Sequence, residues 1–334
     1  TARRSKLLRP AMSDSAAKTD AGAAEGTAEF KPPVRQPTSS HKTDESVLAS
    51  WHYIMRFPGK DVRGLLIDAF QLWFKCEPAK VDSVKSIIAN LHNASLLIDD
   101  IEDNSKVRRG QPSAHMIFGI APVINAANYV YFLGLEACQK LGSASAMNVF
   151  IQELLNLHRG QGQDIDWRDS GNCPTVEQYD AMVLDKTGGL FRLAVGLLQS
   201  FATENASTDF IPLVNSMALY FQIRDDLVNL ASEDYSKTKG FCEDFTEGKF
   251  SMPIIHALCI AEGDPSLATE IRSVLKQRTE DASVLKFAQQ RLRAAGSLAY
   301  VQKRCCDLAA EVSRHLKDLG GNPAIEKIMA KLHN

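Results

Sequence analysis

The feature that most constrains the fold is a helical spacing of apolar residues that leads into an acidic run. From Val84 to Ile101, apolar side chains recur at three- and four-residue steps, which is the spacing of one helix face. Similar periodicity runs through residues 150–157, 191–201, 210–230 and 254–261. Convincing strand alternation and fixed-period repeats are absent from the sequence. The pattern predicts one all-α domain of about 290 residues, a helical bundle with a deep central cavity.

Residues 1–43 differ from the rest in composition. They are rich in Ala, Ser, Thr, Pro, Lys and Glu, with almost no aromatic, valine or isoleucine side chains. Such a segment cannot bury enough apolar surface to offset the entropy of ordering it. We expect residues 1–43 to be a disordered leader or interdomain linker, and residues 44–334 to form the helical domain.

Bulk composition excludes several classes of protein. The formal net charge is -2, so no global basic field indicates nucleic acid. The seven cysteines show no C-x-x-C pair, which favours reduced thiols over a disulfide scaffold or a zinc site. The chain has no apolar run of 18 residues and no signal-peptide core. These features predict a soluble cytoplasmic protein without a transmembrane segment.

Two acidic motifs end two strongly apolar segments. Asp99 and Asp103 are four residues apart, so on a helix they share one face and repel each other unless a cation lies between them. Asp225 and Asn229 repeat this spacing at the end of the other segment. Carboxylate oxygens suit hard cations such as Mg²⁺. One such motif is a weak signal, but two on core-facing helices indicate a metal site, because buried unpaired charge is costly.

Basic residues provide a complementary set. Arg108 and Arg109 follow the first acidic motif, and several lysines stand beside glycines, where a backbone can approach a ligand closely. Arginine forks and lysine point charges suit phosphate oxygens. Each basic residue alone is typical of a solvated surface. Together with two acidic helices they predict a site for two diphosphates, one held through metal and one held by cations alone.

The ordered motifs identify a family. The chain resembles trans-isoprenyl diphosphate synthases, and most closely the eukaryotic geranylgeranyl diphosphate synthases, from about residue 45 to the end. The matching motifs are PGKDVR (58–63), LHNASLLIDDIEDNS (91–105), RRGQP (108–112), HRGQGQDI (158–165), KTGG (186–189), FQIRDD (221–226) and EGKFSMP (247–253). The resemblance implies the isoprenoid synthase-type helical bundle. It also implies condensation of isopentenyl diphosphate with allylic diphosphates (dimethylallyl, geranyl or farnesyl) to give geranylgeranyl diphosphate.

The resemblance also assigns roles to matching residues. The implied ligands of three Mg²⁺ ions are Asp99, Asp103 and Asp225, with Asp100, Asp226 and Asn229 in support. The implied contacts of the allylic diphosphate are Arg108, Lys186, Lys239 and Lys249, with Thr187 and Gln222 facing the allylic carbons. Lys186, Thr187 and Gln222 are the implied catalytic group. The implied site for isopentenyl diphosphate contains Gly59, Lys60, Arg63, His92 and Arg109. Asn229 replaces the usual Asp of the second motif, which we interpret as reduced negative charge.

The implied chemistry is ionisation, condensation and elimination. The allylic C–O bond breaks, the double bond of isopentenyl diphosphate attacks the cation, and a proton is lost to the departing diphosphate. Product length depends on what closes the cavity below the first acidic motif. Ala94 and Ser95, one turn upstream, are small. Tyr131, Phe132 and His158 match positions that cap the pocket, which favours a twenty-carbon product.

Several alternatives remain open at this stage. The product could have twenty-five carbons, or the chain could be a non-catalytic regulatory subunit, although such subunits usually lose one acidic motif. A terpene cyclase would normally lack the Lys60, Arg63 and His92 group. The resemblance implies a homo-oligomer, either a dimer or an assembly of dimers. The low-complexity leader also suits a fungal fusion in which a terpene cyclase domain precedes the prenyl transferase.

Overall fold

Most of the described chain is α-helical. The computed structural model describes residues 41–57, 59, 61–231 and 242–333. Within these ranges, fifteen α-helices follow one another: α1 His41–Val47, α2 Ala49–Met55, α3 Val62–Phe74, α4 Pro78–Glu102, α5 Ala114–Phe118, α6 Ile120–Lys140, α7 Ala144–Ser170, α8 Val176–Gln199, α9 Ile211–Ala231, α10 Glu243–Glu247, α11 Met252–Ile260, α12 Pro265–Gln277, α13 Ala282–Ala294, α14 Ser297–Asp318 and α15 Pro323–His333. The predicted all-α class is confirmed.

The exception to the helical pattern is a small antiparallel hairpin. Strand β1 (Val107–Arg108) pairs with β2 (Gln111–Pro112) directly after α4. The two residues between the strands, Arg109 and Gly110, have φ angles of 55° and 74°. Positive φ at both central positions is the signature of a two-residue type I′ turn. The turn gives the adjacent side chains of Arg108 and Arg109 different surroundings.

Local sequence signals set the ends of the long helices. At the start of α8, the Thr175 side chain accepts a hydrogen bond from the Gln178 backbone, and the Gln178 side chain accepts one from Thr175, which is a capping box. At the start of α7, the Ser143 side chain accepts from Ala146 N. Helix α7 ends at Gly171, where φ is 70°. These caps fix the boundaries of the two helices that carry the central polar residues.

The centre of the bundle is built from α4, α7, α8 and α9. Helix α7 packs along α8, α8 packs along α9, and α4 contacts both α6 and α8. Glycines allow the closest approach between α7 and α8. A Cβ at Gly160 would lie 2.4 Å from Lys186 N, and a Cβ at Gly189 would lie 3.1 Å from Glu153 O. Both distances are shorter than ordinary contacts, so α7 and α8 can pack this closely only because glycine has no side chain.

Some predictions about the whole chain are not tested by this fold. Residues 1–40 lie outside the described residues, so the leader and the upstream cyclase stay predictions. Helix α1 begins at His41, three residues before the predicted boundary at residue 44, which also stays a prediction. The cytoplasmic location also stays a prediction. Across the described ranges, no helix combines the length and the apolar character needed to cross a bilayer.

Candidate active site

A cavity of about 1030 Å³ lies between α3, α4, α7, α8 and α9. The predicted site residues that line it are Gly59, Arg63, His92, Asp99, Arg108, Arg109, Tyr131, His158, Lys186, Thr187, Gln222, Asp225, Asp226 and Lys249. The predicted residues that are described but do not line it are Asp100, Asp103, Asn229 and Phe132. Lys60 and Lys239 lie outside the described residues. The fold therefore brings residues of both acidic motifs and both basic groups to one cavity.

Adjacent carboxylates of the first motif have different environments. Asp99 lines the cavity, with Oδ2 3.3 Å from Arg108 Nη2 and Oδ1 accepting from Gln161 Nε2 at 3.2 Å. The Asp100 side chain is only 1% exposed, and its Oδ1 accepts from Arg108 Nε at 2.6 Å. Burial alone would lower the pKa of Arg108, but Asp100 and Asp99 outweigh burial and raise it. Asp100 therefore holds a permanently charged guanidinium beside Asp99.

Asp103 does not line the cavity itself but contacts Lys249, which does. Helix α4 ends at Glu102, and Asp103 is its C-cap residue. Its Oδ1 lies 2.8 Å from Arg168 Nη1, and its Oδ2 lies 3.1 Å from Lys249 Nζ. The Asp103 side chain is 4% exposed. Asp103 follows Asp99 by one helical turn, as predicted. Its carboxylate, however, is held by two protein cations, Arg168 and Lys249.

Two lysines meet at one buried carboxylate that the sequence analysis did not single out. Asp164 Oδ2 lies 2.6 Å from Lys186 Nζ and 3.9 Å from Lys249 Nζ. Burial opposes ionisation of Asp164, but the two lysines outweigh it and lower the pKa of the carboxyl. Burial likewise opposes the charge on Lys186, and Asp164 outweighs it and raises the lysine pKa. Both lysines are therefore held charged at the cavity wall.

The second acidic motif ends a chain of hydrogen bonds. Thr187 Oγ1 donates to Gln222 Oε1 at 2.8 Å, and Gln222 Nε2 donates to Asp226 Oδ1 at 3.0 Å. Asp226 Oδ2 accepts from the Tyr179 hydroxyl and from Met252 N, the latter at 2.9 Å. This network sets the orientation of the Gln222 amide. Burial raises the pKa of Asp226 to about 6.

Asn229, which ends the motif, does not face the cavity. Its side chain is buried, and Oδ1 accepts from Asp244 N at 3.3 Å. Asp225 lines the cavity beside these groups. Asn229 therefore supports the segment that begins α10 rather than the cavity wall.

A second group of cations lies around His92. Arg63 Nη1 and His92 Nε2 are 3.1 Å apart. Burial, followed by the charges of Arg63 and Arg109, lowers the pKa of His92 well below its usual value. The imidazole is therefore neutral, and we assign the acceptor role to Nε2. Within the described chain, the buried Nε of Arg63 has no hydrogen-bond partner.

The hairpin turn directs Arg109 toward this second group. Its Nη1 donates to Phe57 O at 2.5 Å, and its Nη2 donates to Asn93 Oδ1 at 3.2 Å. A Cβ on Gly59 would lie 3.1 Å from Arg109 Nη2. Arg108, one residue earlier, contacts the acidic motif instead. Adjacent arginines thus belong to two different charged groups of the cavity.

The predicted cavity floor is only partly supported. Tyr131 and His158 both line the cavity, and their ring centroids are 5.7 Å apart. Phe132 is 68% exposed and does not line the cavity. Consecutive residues on a helix point about 100° apart, so Tyr131 and Phe132 cannot share one direction. The placement of Phe132 in the floor is therefore corrected for this chain.

Comparison with known proteins identifies the family of this chain. The polyprenyl synthetase family model matches residues 44–292. The chain belongs to the polyprenyl synthetase family. It is 48% identical over 293 residues to a geranylgeranyl pyrophosphate synthase of Dictyostelium discoideum, covering 88% of this chain and 95% of that protein. It is 49% identical over 304 residues to one from Macrophomina phaseolina (90% and 91%), and 47% identical over 290 residues to one from Mucor circinelloides (87% and 94%).

Membership of the polyprenyl synthetase family confirms the predicted prenyl transferase class. Members use isopentenyl and allylic diphosphates and generally depend on Mg²⁺. In the described ranges, no three His, Cys, Asp or Glu side chains converge closely enough to hold a metal by themselves. The residues nevertheless fit Mg²⁺. Asp99 and Asp225 line the same cavity and supply only hard oxygen donors, and a diphosphate would complete such a set.

The sequence analysis assigned no role to several residues with clear structural roles, although two of them lie in the matching motif at 158–165. Gln161, Asp164 and Arg168 on α7 all contact the first acidic motif or its lysines. Their spacing of three and four residues marks one helix face, which is the signal that could have found them. Tyr179 has no such signal, because its partner Asp226 is 47 residues away.

Proposed function

We propose that this chain is a geranylgeranyl diphosphate synthase. It condenses isopentenyl diphosphate with dimethylallyl, geranyl or farnesyl diphosphate until the product has twenty carbons. The names of the three relatives reported above support this product. The observation that carries the proposal is the division of one cavity into a carboxylate and lysine side and a second, mainly cationic group of Arg63, His92 and Arg109.

The Arg63 group is the proposed site of isopentenyl diphosphate. Arg63, Arg109 and Gly59 line the cavity, and the Nε of Arg63 is a buried donor without a partner in the described chain. A diphosphate oxygen would satisfy that donor. His92 is neutral, so it can donate one hydrogen bond without adding charge. Lys60 stays a predicted member of this site.

The opposite wall is the proposed site of the allylic diphosphate. Asp99 and Asp225 would hold Mg²⁺ there, with Asp103 as a further ligand if Lys249 releases it. The resemblance implies three ions, which would neutralise the diphosphate and make it a better leaving group. Arg108, Lys186 and Lys249 add fixed positive charge at the same wall. Asp100 supports Arg108 and Asp226 supports Gln222 through the hydrogen bonds described above. Asn229 stays a predicted supporting residue, and Lys239 stays a predicted contact.

Thr187 and Gln222 are proposed to face the allylic carbons. The hydrogen bond from Thr187 to Gln222 Oε1 fixes both oxygen dipoles at the cavity wall. When the allylic C–O bond breaks, its electron pair leaves with the diphosphate, and these dipoles stabilise the cation that remains. The double bond of isopentenyl diphosphate then forms the new C–C bond. The proton lost in the last step goes to the departing diphosphate.

Tyr131 and His158 are the proposed stop for chain growth. The two rings lie together at the cavity wall. A growing chain that reaches them would meet aromatic surface in place of open space. We expect growth to end at twenty carbons for this reason.

A homodimer is the proposed assembly. Exposed apolar side chains on α6 and α7 are Ile120, Ile124, Phe132, Ile151 and Leu155. Large exposed apolar groups on neighbouring helices favour an interface with another chain. Phe132 would be buried there rather than in the floor. Analytical ultracentrifugation would test this: sedimentation as a monomer at micromolar concentration contradicts it.

The catalytic proposal is tested by incubating the purified chain with isopentenyl diphosphate, Mg²⁺ and each allylic primer in turn. Mass spectrometry of the products should show a Mg²⁺-dependent twenty-carbon diphosphate. A twenty-five-carbon product would keep the chemistry and remove Tyr131 and His158 as the stop. No condensation with any primer would favour a regulatory subunit. Product formation without isopentenyl diphosphate would indicate a cyclase.

A further inference from the structure

Arg168 links α7 to the end of the helix that carries the first acidic motif. Its Nη1 donates to Asp103 Oδ1 at 2.8 Å and to the backbone oxygen of Glu102 at 2.9 Å. The last carbonyls of an α-helix lack partners within the helix. One guanidinium group therefore caps α4 and fixes one oxygen of Asp103 at the same time.

The contacts of Asp103 are divided between its two oxygens. Oδ1 belongs to Arg168, and Oδ2 lies 3.1 Å from Lys249 Nζ. The Arg168 side chain is 8% exposed, so its contact with Asp103 is shielded from water. Lys249 also contacts Glu247 Oε2 at 3.3 Å, so its amine has another partner when it leaves Asp103. The oxygen held by Lys249 is therefore the one that can change partner.

A second carboxylate fixes Arg168 from its other side. Arg168 Nε donates to Asp169 Oδ1 at 2.9 Å, and Arg278 Nη2 lies 3.2 Å from the same oxygen. A planar guanidinium held on two edges has little freedom to rotate. Its position is therefore also fixed by Asp169 on α7 and, through Asp169, by Arg278 at the end of α12.

We propose that Arg168 is a positioning residue for Mg²⁺ binding, which rests on the proposed function. It holds Asp103 Oδ1 and the end of α4, so that Asp103 Oδ2 is the oxygen presented to the metal when Lys249 leaves it. Arg168 does not touch substrate. It acts through Asp103, as outer-shell partners of metal ligands do. The alternative is that Arg168 competes with the metal for Asp103. In that case, removing the arginine would strengthen Mg²⁺ binding rather than weaken it.

The test compares Arg168→Gln and Arg168→Lys with the unaltered protein. Mg²⁺ is titrated in the presence of inorganic diphosphate, and binding is followed by calorimetry without any allylic substrate. Arg168→Gln should weaken Mg²⁺ binding by about tenfold or more. Lysine has no second nitrogen to replace the Nε that donates to Asp169, so Arg168→Lys should show an intermediate loss. In steady-state assays the Mg²⁺ concentration for half-maximal rate should rise in the same order, with KM for isopentenyl diphosphate unchanged.

Two further variants control for general damage. Arg159→Gln alters another arginine of α7, which is exposed and contacts Asn156 Oδ1 at 3.0 Å. It should bind Mg²⁺ as the unaltered protein does. Asp169→Asn removes the outer support at an exposed position and should give a smaller loss in the same direction as Arg168→Gln. This variant keeps the test decisive if Arg168→Gln fails to fold.

The outcomes separate this inference from the proposed function. Unchanged Mg²⁺ binding by Arg168→Gln in an active enzyme overturns the inference and leaves the proposed function standing. Tighter binding also overturns it, in favour of the competitor role. An unaltered protein that neither condenses the substrates nor binds Mg²⁺ with diphosphate contradicts both.

Discussion

Gly160 of α7 packs against the backbone of Lys186 on α8, and its replacement by alanine should change both stability and rate. A Cβ there would lie 2.4 Å from Lys186 N and 2.9 Å from Lys186 Cα. Comfortable contacts between such atoms are about 3.5–4.0 Å. Backbone atoms cannot turn aside as a flexible side chain can, so we expect α8 to shift by roughly 1 Å to relieve the contact.

The magnitude follows from two opposing effects. Removing glycine from a helix interior stabilises a protein by about 1 kcal/mol. Overpacking a close contact costs about 1–3 kcal/mol. For Gly160→Ala the second effect dominates, and we expect the free energy of unfolding to fall by up to about 2 kcal/mol. Because α8 carries Lys186 and Thr187, a shift of this size should also lower kcat by roughly 100-fold.

Gly162 provides a matched control two residues later on α7. A Cβ there meets nothing within 4 Å. Gly162→Ala should therefore gain about 0.5–1 kcal/mol of stability and keep its kcat. Urea denaturation and steady-state kinetics of both variants give the comparison. If Gly160→Ala is as stable as Gly162→Ala and has unchanged kcat, the close approach of α7 and α8 does not position Lys186.

Three further predictions concern the cavity. Tyr131→Ala should yield products longer than twenty carbons in mass spectrometry. Tyr129→Ala changes a residue of α6 outside the cavity lining and should not lengthen the product. Equal product lengths from the two variants would contradict the proposed floor. Burial and neighbouring arginines lower the pKa of His92, so below its unfolded pKa of about 6.5 only the unfolded chain gains this proton. The free energy of unfolding should then decrease as the pH is lowered, by up to about 1.4 kcal/mol per pH unit. Denaturation of the substrate-free protein at pH 5–8 measures this dependence, and His92→Asn should lose it. Tyr179→Phe removes a hydrogen-bond donor to buried Asp226 and should lower the free energy of unfolding by about 1–3 kcal/mol. It should also lower kcat without changing KM for isopentenyl diphosphate. An unchanged kcat would show that the hydrogen-bond chain does not orient the site.

Much of the site could be predicted from the sequence, because the ligand-type residues lie in short motifs whose order along the chain is specific. The motif at Asp225 and Asp226 is an example, since helical spacing alone places both residues on α9. Their different roles could not be predicted. Asp226 accepts hydrogen bonds from Tyr179 on α8 and from Met252 N at the start of α11, while Asp225 lines the cavity. That difference depends on contacts between segments far apart in the chain.

The floor shows the same limit. The sequence indicates three bulky side chains at matching positions, but not which of them point inward. Tyr131 lines the cavity, whereas Phe132 is on the outer surface of α6. The spacing along the chain fixes the angle between the side chains of Tyr131 and Phe132 around α6. Which of the two points into the cavity depends on where α4 and α7 pack against α6.

The sequence by itself determined the helical class, the family, and which residue types carry the chemistry, because periodicity and short motifs are local properties. Only the tertiary structure decided which charge meets which partner. Asp100 contacts Arg108, and Asp103 contacts Arg168 and Lys249, although these carboxylates are three residues apart. Electrostatic energy falls with distance in space and not with separation along the chain, so these partnerships exist only once the helices have packed.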